Sequence, residues 1–106
     1  MIQHDVYFSL KQETSQERVE AFKEGLKSLL TIDLLVHGKL GFPADTEDRP
    51  VVQKNYDFAL YTLFNSIEDH DAYQVHEIHA KFIANFKDLW EEVRVFDSEI
   101  FWKDNL

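Results

Sequence analysis

The run Phe58-Ala-Leu-Tyr-Thr-Leu-Phe64, within a segment reaching from Tyr56 to Phe64, is apolar at odd and even positions alike, with only Asp57 and Thr62 departing from the pattern. Successive side chains of a strand point to opposite faces, so this strand has two faces to hide from water and needs cover on both. Helices of the same chain can supply one cover. A chain of 106 residues buries only about two-thirds of its unfolded surface, enough for one core but not two. The second cover is therefore expected from another copy of the chain, packed sheet against sheet.

The remaining elements fall around this strand. Ile2 to Leu10 alternates, with Ile2, His4, Val6, Phe8 and Leu10 on one face and Gln3, Asp5, Tyr7 and Ser9 on the other, which describes a strand with one buried side. Thr14-Ser-Gln-Glu17 has the form of a capping box, and Val19, Phe22, Leu26, Leu29 and Leu30 recur at helical spacing after it. Gly25 falls inside that helix, where it costs about 1 kcal/mol relative to Ala unless close packing needs its bare backbone. Ile32 to Phe42 reads as a second strand, bent or bulged at Gly38. Pro43 to Asn55, polar and twice interrupted by proline, reads as the longest loop. Ser66 is an N-cap with acidic residues behind it, and Tyr73, His76, His79, Phe82, Ile83, Phe86 and Leu89-Trp90 continue as one long helix or two joined near Val75. Glu92 to Trp102 closes the chain as a fourth strand, with Val93, Val95 and Asp97 on one face.

Composition narrows the function classes. Twenty acidic against eleven basic residues give a net charge of −9, which repels phosphate backbones and anionic lipid, so neither nucleic acid nor membrane is an expected partner. The chain has no cysteine and no glycine-rich phosphate cradle, with three Gly in all, which removes thiol chemistry and nucleotide loops. No stretch approaches the roughly 18 apolar residues of a membrane helix. A cytoplasmic protein is expected.

Chemistry is hinted at in one place. Tyr73, His76 and His79 are spaced by threes, which on a continuous helix keeps them within about 120° of arc on one face. Phenol and imidazole both donate and accept protons, and a surface presenting them to an apolar strand can host acid–base work. The same residues also suit the edge of a filled core, bonded to backbone. His76-Glu77-Ile78-His79 is not the spacing of a zinc helix, which needs four, so no metal site is expected from it. His37 and His70 read as surface or loop residues.

Taken in order, His4-Asp-Val-Tyr-Phe8, Val19 to Leu30, Tyr56-Asp-Phe-Ala-Leu60, Tyr73-x-x-His76-Glu-x-His79-x-x-Phe82 and Val93-Arg-Val-Phe-Asp97 resemble the stress-responsive A/B barrel (Dabb) family over nearly the whole chain. Glu77 stands where that family usually has Pro. The resemblance implies one α+β domain over residues 1–106, ferredoxin-like with βαββαβ order, a four-stranded antiparallel sheet and helices on one face. It further implies a homodimeric α+β barrel formed sheet to sheet.

The family also implies a site between helices and sheet. Its walls would include His76, Phe8, Phe22, Leu60, Phe82 and Trp90, binding a small hydrophobic molecule. The family contains polyketide cyclases. On that pattern His79 is the general base, Tyr73 polarises or protonates a carbonyl oxygen, and His4 orients the substrate, with no metal and no cofactor. Three functions follow as expectations: a homodimeric small-molecule binding protein, a cofactor-free cyclase, isomerase or monooxygenase-like enzyme, and an assembly protein whose interlayer space is filled.

Overall fold

Nine alternating residues, Ile2–Leu10, form β1, and every even position of this strand from Ile2 to Phe8 is buried. The computed structural model describes residues 1–104. Helix α1 spans Gln16–Leu29, β2 Leu35–Gly41, β3 Phe58–Phe64, α2 Ile67–Gln74, α3 Glu77–Phe86 and β4 Trp90–Glu99, with a single 3₁₀ turn at Lys87–Leu89 leading into β4. The sheet order is β2-β3-β1-β4, antiparallel throughout. This is the expected ferredoxin-like arrangement, with its second helical crossover split at Val75. Among the described residues no helix is long and apolar enough to cross a membrane.

Several boundaries differ from the expected ones, each for a local reason. The cap of α1 is Ser15, whose hydroxyl accepts from the Arg18 N–H at 3.2 Å, because Thr14 spends its own hydroxyl on the Lys11 carbonyl at 2.6 Å. Ile32 is buried in the turn that follows α1 rather than in β2. The irregularity of β2 lies between Leu35 and His37, not at Gly38. Gly38 is needed for another reason: a Cβ there would run into the Leu30 side chain. Trp90 opens β4 instead of ending a helix.

The register places Phe8 against Phe58, Val6 against Leu60 and His4 against Thr62, while on the other side of β1 Val95 meets Val6 and Asp97 meets His4. Those residues therefore share the helix-facing side. Phe22 of α1 and Phe82 of α3 pack their rings on Phe8 at 5.3 and 6.0 Å, and Tyr73 of α2 lies on Phe64 at 5.0 Å. Edge-to-face and tilted aromatic contacts of this kind join both layers into one core.

The opposite face of β3 is partly covered from within the chain, which the sequence did not suggest. Tyr56, in the segment before β3, packs edge-to-face with Tyr7 at 4.9 Å, and Arg94 donates to the Asn55 carbonyl at 3.4 Å. The segment is tied to β1 by the Asp57 N–H on the Phe8 carbonyl and by the Leu10 N–H on the Asp57 carboxylate. Ala59 and Leu63 are buried and Tyr61 is half-buried. Phe96, beside Tyr7, remains 55% exposed.

Gly25 marks the closest approach of α1 to α3. A Cβ at this position would overlap the Phe86 ring, with its Cδ2 at 3.0 Å, and that ring is pinned by Phe22 and Phe82 at 5.6 and 5.5 Å. Gly25→Ala should therefore destabilise by about 1–3 kcal/mol through overpacking, although helix propensity alone favours Ala by about 1 kcal/mol. Urea denaturation checks this; a higher midpoint for the variant would mean that the helices separate freely.

Candidate functional site

Between the helices and the sheet lies a cavity of about 190 Å³. Its floor is His4, Val6 and Phe8 of β1, Leu60 of β3, and Val93, Val95 and Asp97 of β4. Leu29, Tyr73, Gln74, His79, Phe82, Ile83 and Trp90 form the roof and walls. Seven of the nine residues singled out from the sequence thus meet in one place: His4, Tyr73, His79, Phe8, Leu60, Phe82 and Trp90.

Phe22 and His76 are not among the lining residues. Phe22 is wholly buried one layer away, against Phe8, Phe58 and Phe86. His76 is the N-cap of α3, its Nδ1 accepting from the Ile78 N–H at 3.0 Å. The break before α3 also undoes the single helical face expected for Tyr73, His76 and His79, because Tyr73 belongs to α2 and His79 to α3. Tyr73 and His79 nevertheless meet, with ring centroids 4.9 Å apart. Glu77 opens α3 at the position where Pro is tolerated best, and its carboxylate there suits the positive end of the helix dipole. Phe58, on the same face of β3 as Leu60, packs on Phe22 and is not among the lining residues.

Each polar group has a definite setting. His4, 4% exposed, directs Nδ1 at the Asp97 carboxylate at 2.5 Å, and its backbone carbonyl accepts from the buried Thr62 hydroxyl at 2.8 Å. Cross-strand neighbours thus hold this residue at two points, Asp97 at the ring and Thr62 at the backbone. His79 is half-buried and has its pKa lowered, first by desolvation and then by the nearby His4 and His70 imidazoles, so the neutral ring is favoured. Tyr73 is fully buried, and burial pushes its phenol well above the ordinary range, so it stays protonated. Its hydroxyl and the Trp90 indole N–H are buried with no hydrogen-bond partner among the described residues. Buried polar atoms nearly always have partners, and here both orphans belong to side chains that line the same cavity.

His70 was missed. Read as a surface residue, it is only partly exposed and packs edge-on to His4 at 4.7 Å and to Phe64 at 5.6 Å. The signal was present: His70 precedes Tyr73 by three positions within α2, which places both on one helical face.

A family model described as the stress-responsive A/B barrel domain matches residues 2–100. Among solved structures, a hydroxynitrile lyase from Passiflora edulis superposes with a TM-score of 0.79 at 20% identity, covering 98% of this chain and 96% of that one. A Dabb family protein with a ferredoxin-like fold from Mesorhizobium loti superposes at 0.75 with 20% identity, covering 95% and 97%. A dimeric ferredoxin-like protein of unknown function from Thermobifida fusca also gives 0.75, with 22% identity and coverage of 93% and 90%. No match is found among curated proteins.

The orphan hydroxyl generates a stability expectation. Tyr73→Phe removes a polar group with no protein partner and should leave the protein equally stable or more stable, by up to about 1 kcal/mol. Thermal unfolding followed by circular dichroism measures it, and a loss of 2 kcal/mol or more, the scale of a broken buried hydrogen bond, would show that the hydroxyl is structurally bonded.

Proposed function

Because the chain belongs to the stress-responsive A/B barrel family, we propose that it acts as a homodimeric barrel protein that holds a small, mostly apolar molecule with an acceptor oxygen between α2, α3 and the sheet. One observation carries the reading: two donors, the Tyr73 hydroxyl and the Trp90 indole N–H, are buried without partners among the described residues, on side chains that line an otherwise largely apolar cavity. A carbonyl oxygen would complete either of them. The volume of about 190 Å³ is below the roughly 300–1,000 Å³ of pockets that take drug-sized ligands, which favours small aromatic or short-chain carbonyl compounds over a full polyketide.

A second reading is supported by the charge states. His79 is biased to its neutral, proton-accepting form while Tyr73, 4.9 Å away ring to ring, is biased to its protonated, donating form. A base and an acid held apart in this way suit proton abstraction beside a carbonyl, with His79 taking the proton and Tyr73 bonding the developing oxyanion. His4, fixed by Asp97, would orient the substrate.

Binding and turnover separate the two readings. Acetophenone, benzaldehyde and 2,4-pentanedione should quench the fluorescence of Trp90 in a Trp102→Phe background, and Tyr73→Phe should weaken binding about five- to tenfold, the worth of one hydrogen bond. No quenching by any of them refutes the cavity as a site. Enzyme-dependent exchange of the ketones' α-protons in D₂O, followed by NMR, would add catalysis. On that reading kcat/KM rises with pH as His79 loses its proton, with a midpoint below the ordinary 6.5, and His79→Ala costs about 10²–10⁴ in rate. Binding without exchange leaves the first reading alone.

The homodimer rests on the partly open outer face, where Tyr7, Tyr61 and Phe96 lie side by side with Phe96 55% exposed. An aromatic patch on a sheet face is the kind of surface that another sheet covers. Sedimentation equilibrium should give twice the chain mass, and Phe96→Asp should shift the population to monomer. A wild-type monomer at high micromolar concentration would overturn it.

A further inference from the structure

The acid–base reading places His79 and Tyr73 at the reacting atoms and leaves His70, packed against the His4–Asp97 pair, without a role. His4 on β1, His70 on α2 and Asp97 on β4 each offer a ligand atom, and these atoms lie within 4.8 Å of one another. Their imidazole centroids are 4.7 Å apart, and Asp97 reaches His4 Nδ1 at 2.5 Å. We infer that His4, His70 and Asp97 form a binding site for a divalent transition-metal ion of the zinc class.

The donor set selects the ion. Two imidazoles and one carboxylate suit Zn²⁺ and its first-row neighbours, whereas Mg²⁺ and Ca²⁺ prefer oxygen-only shells. Three protein ligands also leave a coordination position open, as in sites that bind a further ligand. Bond lengths of about 2.0–2.2 Å put the donors around one ion roughly 3–3.5 Å apart, so donors as far apart as 4.8 Å must close by about 1.3–1.8 Å while the His4–Asp97 contact, now 2.5 Å, opens to admit the ion. The cluster has the freedom to do so, since the Asp97 side chain is 49% exposed and His70 sits on an eight-residue helix at the surface.

The surroundings also fit a cation. A groove of about 330 Å³ reaches the cluster from solvent, lined by Asp71, Asp97 and Glu99 beside His70. Its three carboxylates draw cations toward the entry. Asp71 engages His70 Nδ1 at 3.0 Å, the carboxylate–histidine contact that orients a ligating ring and leaves the lone pair on the other nitrogen. The Gln74 amide now occupies His70 Nε2, at 3.2 Å on a flexible exposed side chain. The sequence could not show the site, because its residues come from three elements far apart in the chain.

Isothermal titration of ZnCl₂ into the chelator-treated full chain tests this, with MgCl₂ as the contrast and Co²⁺ absorption reporting geometry. One zinc per chain with a micromolar or tighter Kd is expected, no comparable heat from magnesium, and Co²⁺ bands of a mixed nitrogen–oxygen shell. His70→Ala and Asp97→Asn should each weaken zinc at least about tenfold, while His37→Ala, at an exposed position of β2, should change nothing. His70→Gln, which keeps the side-chain bulk, replaces His70→Ala if circular dichroism shows that variant unfolded. An unchanged Kd in the His70 variant, an equal loss in His37→Ala, or no zinc binding at all overturns the assignment. None of these outcomes depends on the carbonyl chemistry, so the two proposals fail separately.

Discussion

The rest of the molecule depends on the double-sided burial of β3. It runs between β2 and β1, and Phe58, Leu60 and Phe64 can leave water on the helix side only if α1, α2 and α3 lie across them. That requirement sets the distance between layers. Large rings fill the space where Phe8, Phe22, Phe82 and Phe86 converge, and Gly25 lets α1 and α3 close over them. Toward the Tyr73 end the filling stops short, and the remaining space is the cavity.

Burial then decides the chemistry available there. The same exclusion of water that stabilises the aromatic core penalises charge, which moves the His79 and Tyr73 ionisations in opposite directions. An acid and a base can coexist at neutral pH because neither is solvated enough to ionise in its ordinary range. His4 differs: pairing across the β1–β4 register gives it a carboxylate partner, so a polar ring is tolerated at 4% exposure. The one crowded spot in which Asp97, His4 and His70 meet is a by-product of placing an edge strand and a short surface helix around the first strand.

Much of this could be read from residues alone. Alternation along Ile2–Leu10 put His4, Val6 and Phe8 on the helix side, and the structure keeps them there. Elements failed to match where a local hydrogen bond outranked a pattern: Thr14 bonded Lys11 and passed the cap to Ser15, and His76 capped α3 and left the site. The covering of Tyr7 by Tyr56 was illegible because no periodicity describes an irregular segment. His70 reads as a surface or loop residue when taken alone, whereas its helical spacing ties it to Tyr73.

By itself the sequence determined the layer arrangement, the strand faces and most of the cavity's walls, since period-2 and period-3.6 patterns of apolar residues fix which side of each element must be hidden. Only the tertiary structure decided which polar groups meet. Contacts such as His4–Asp97, His4–His70 and Tyr73–His79 depend on strand register and on the break between α2 and α3. Register and helix breaks are settled by the packing of the whole core, and no spacing along one segment records them.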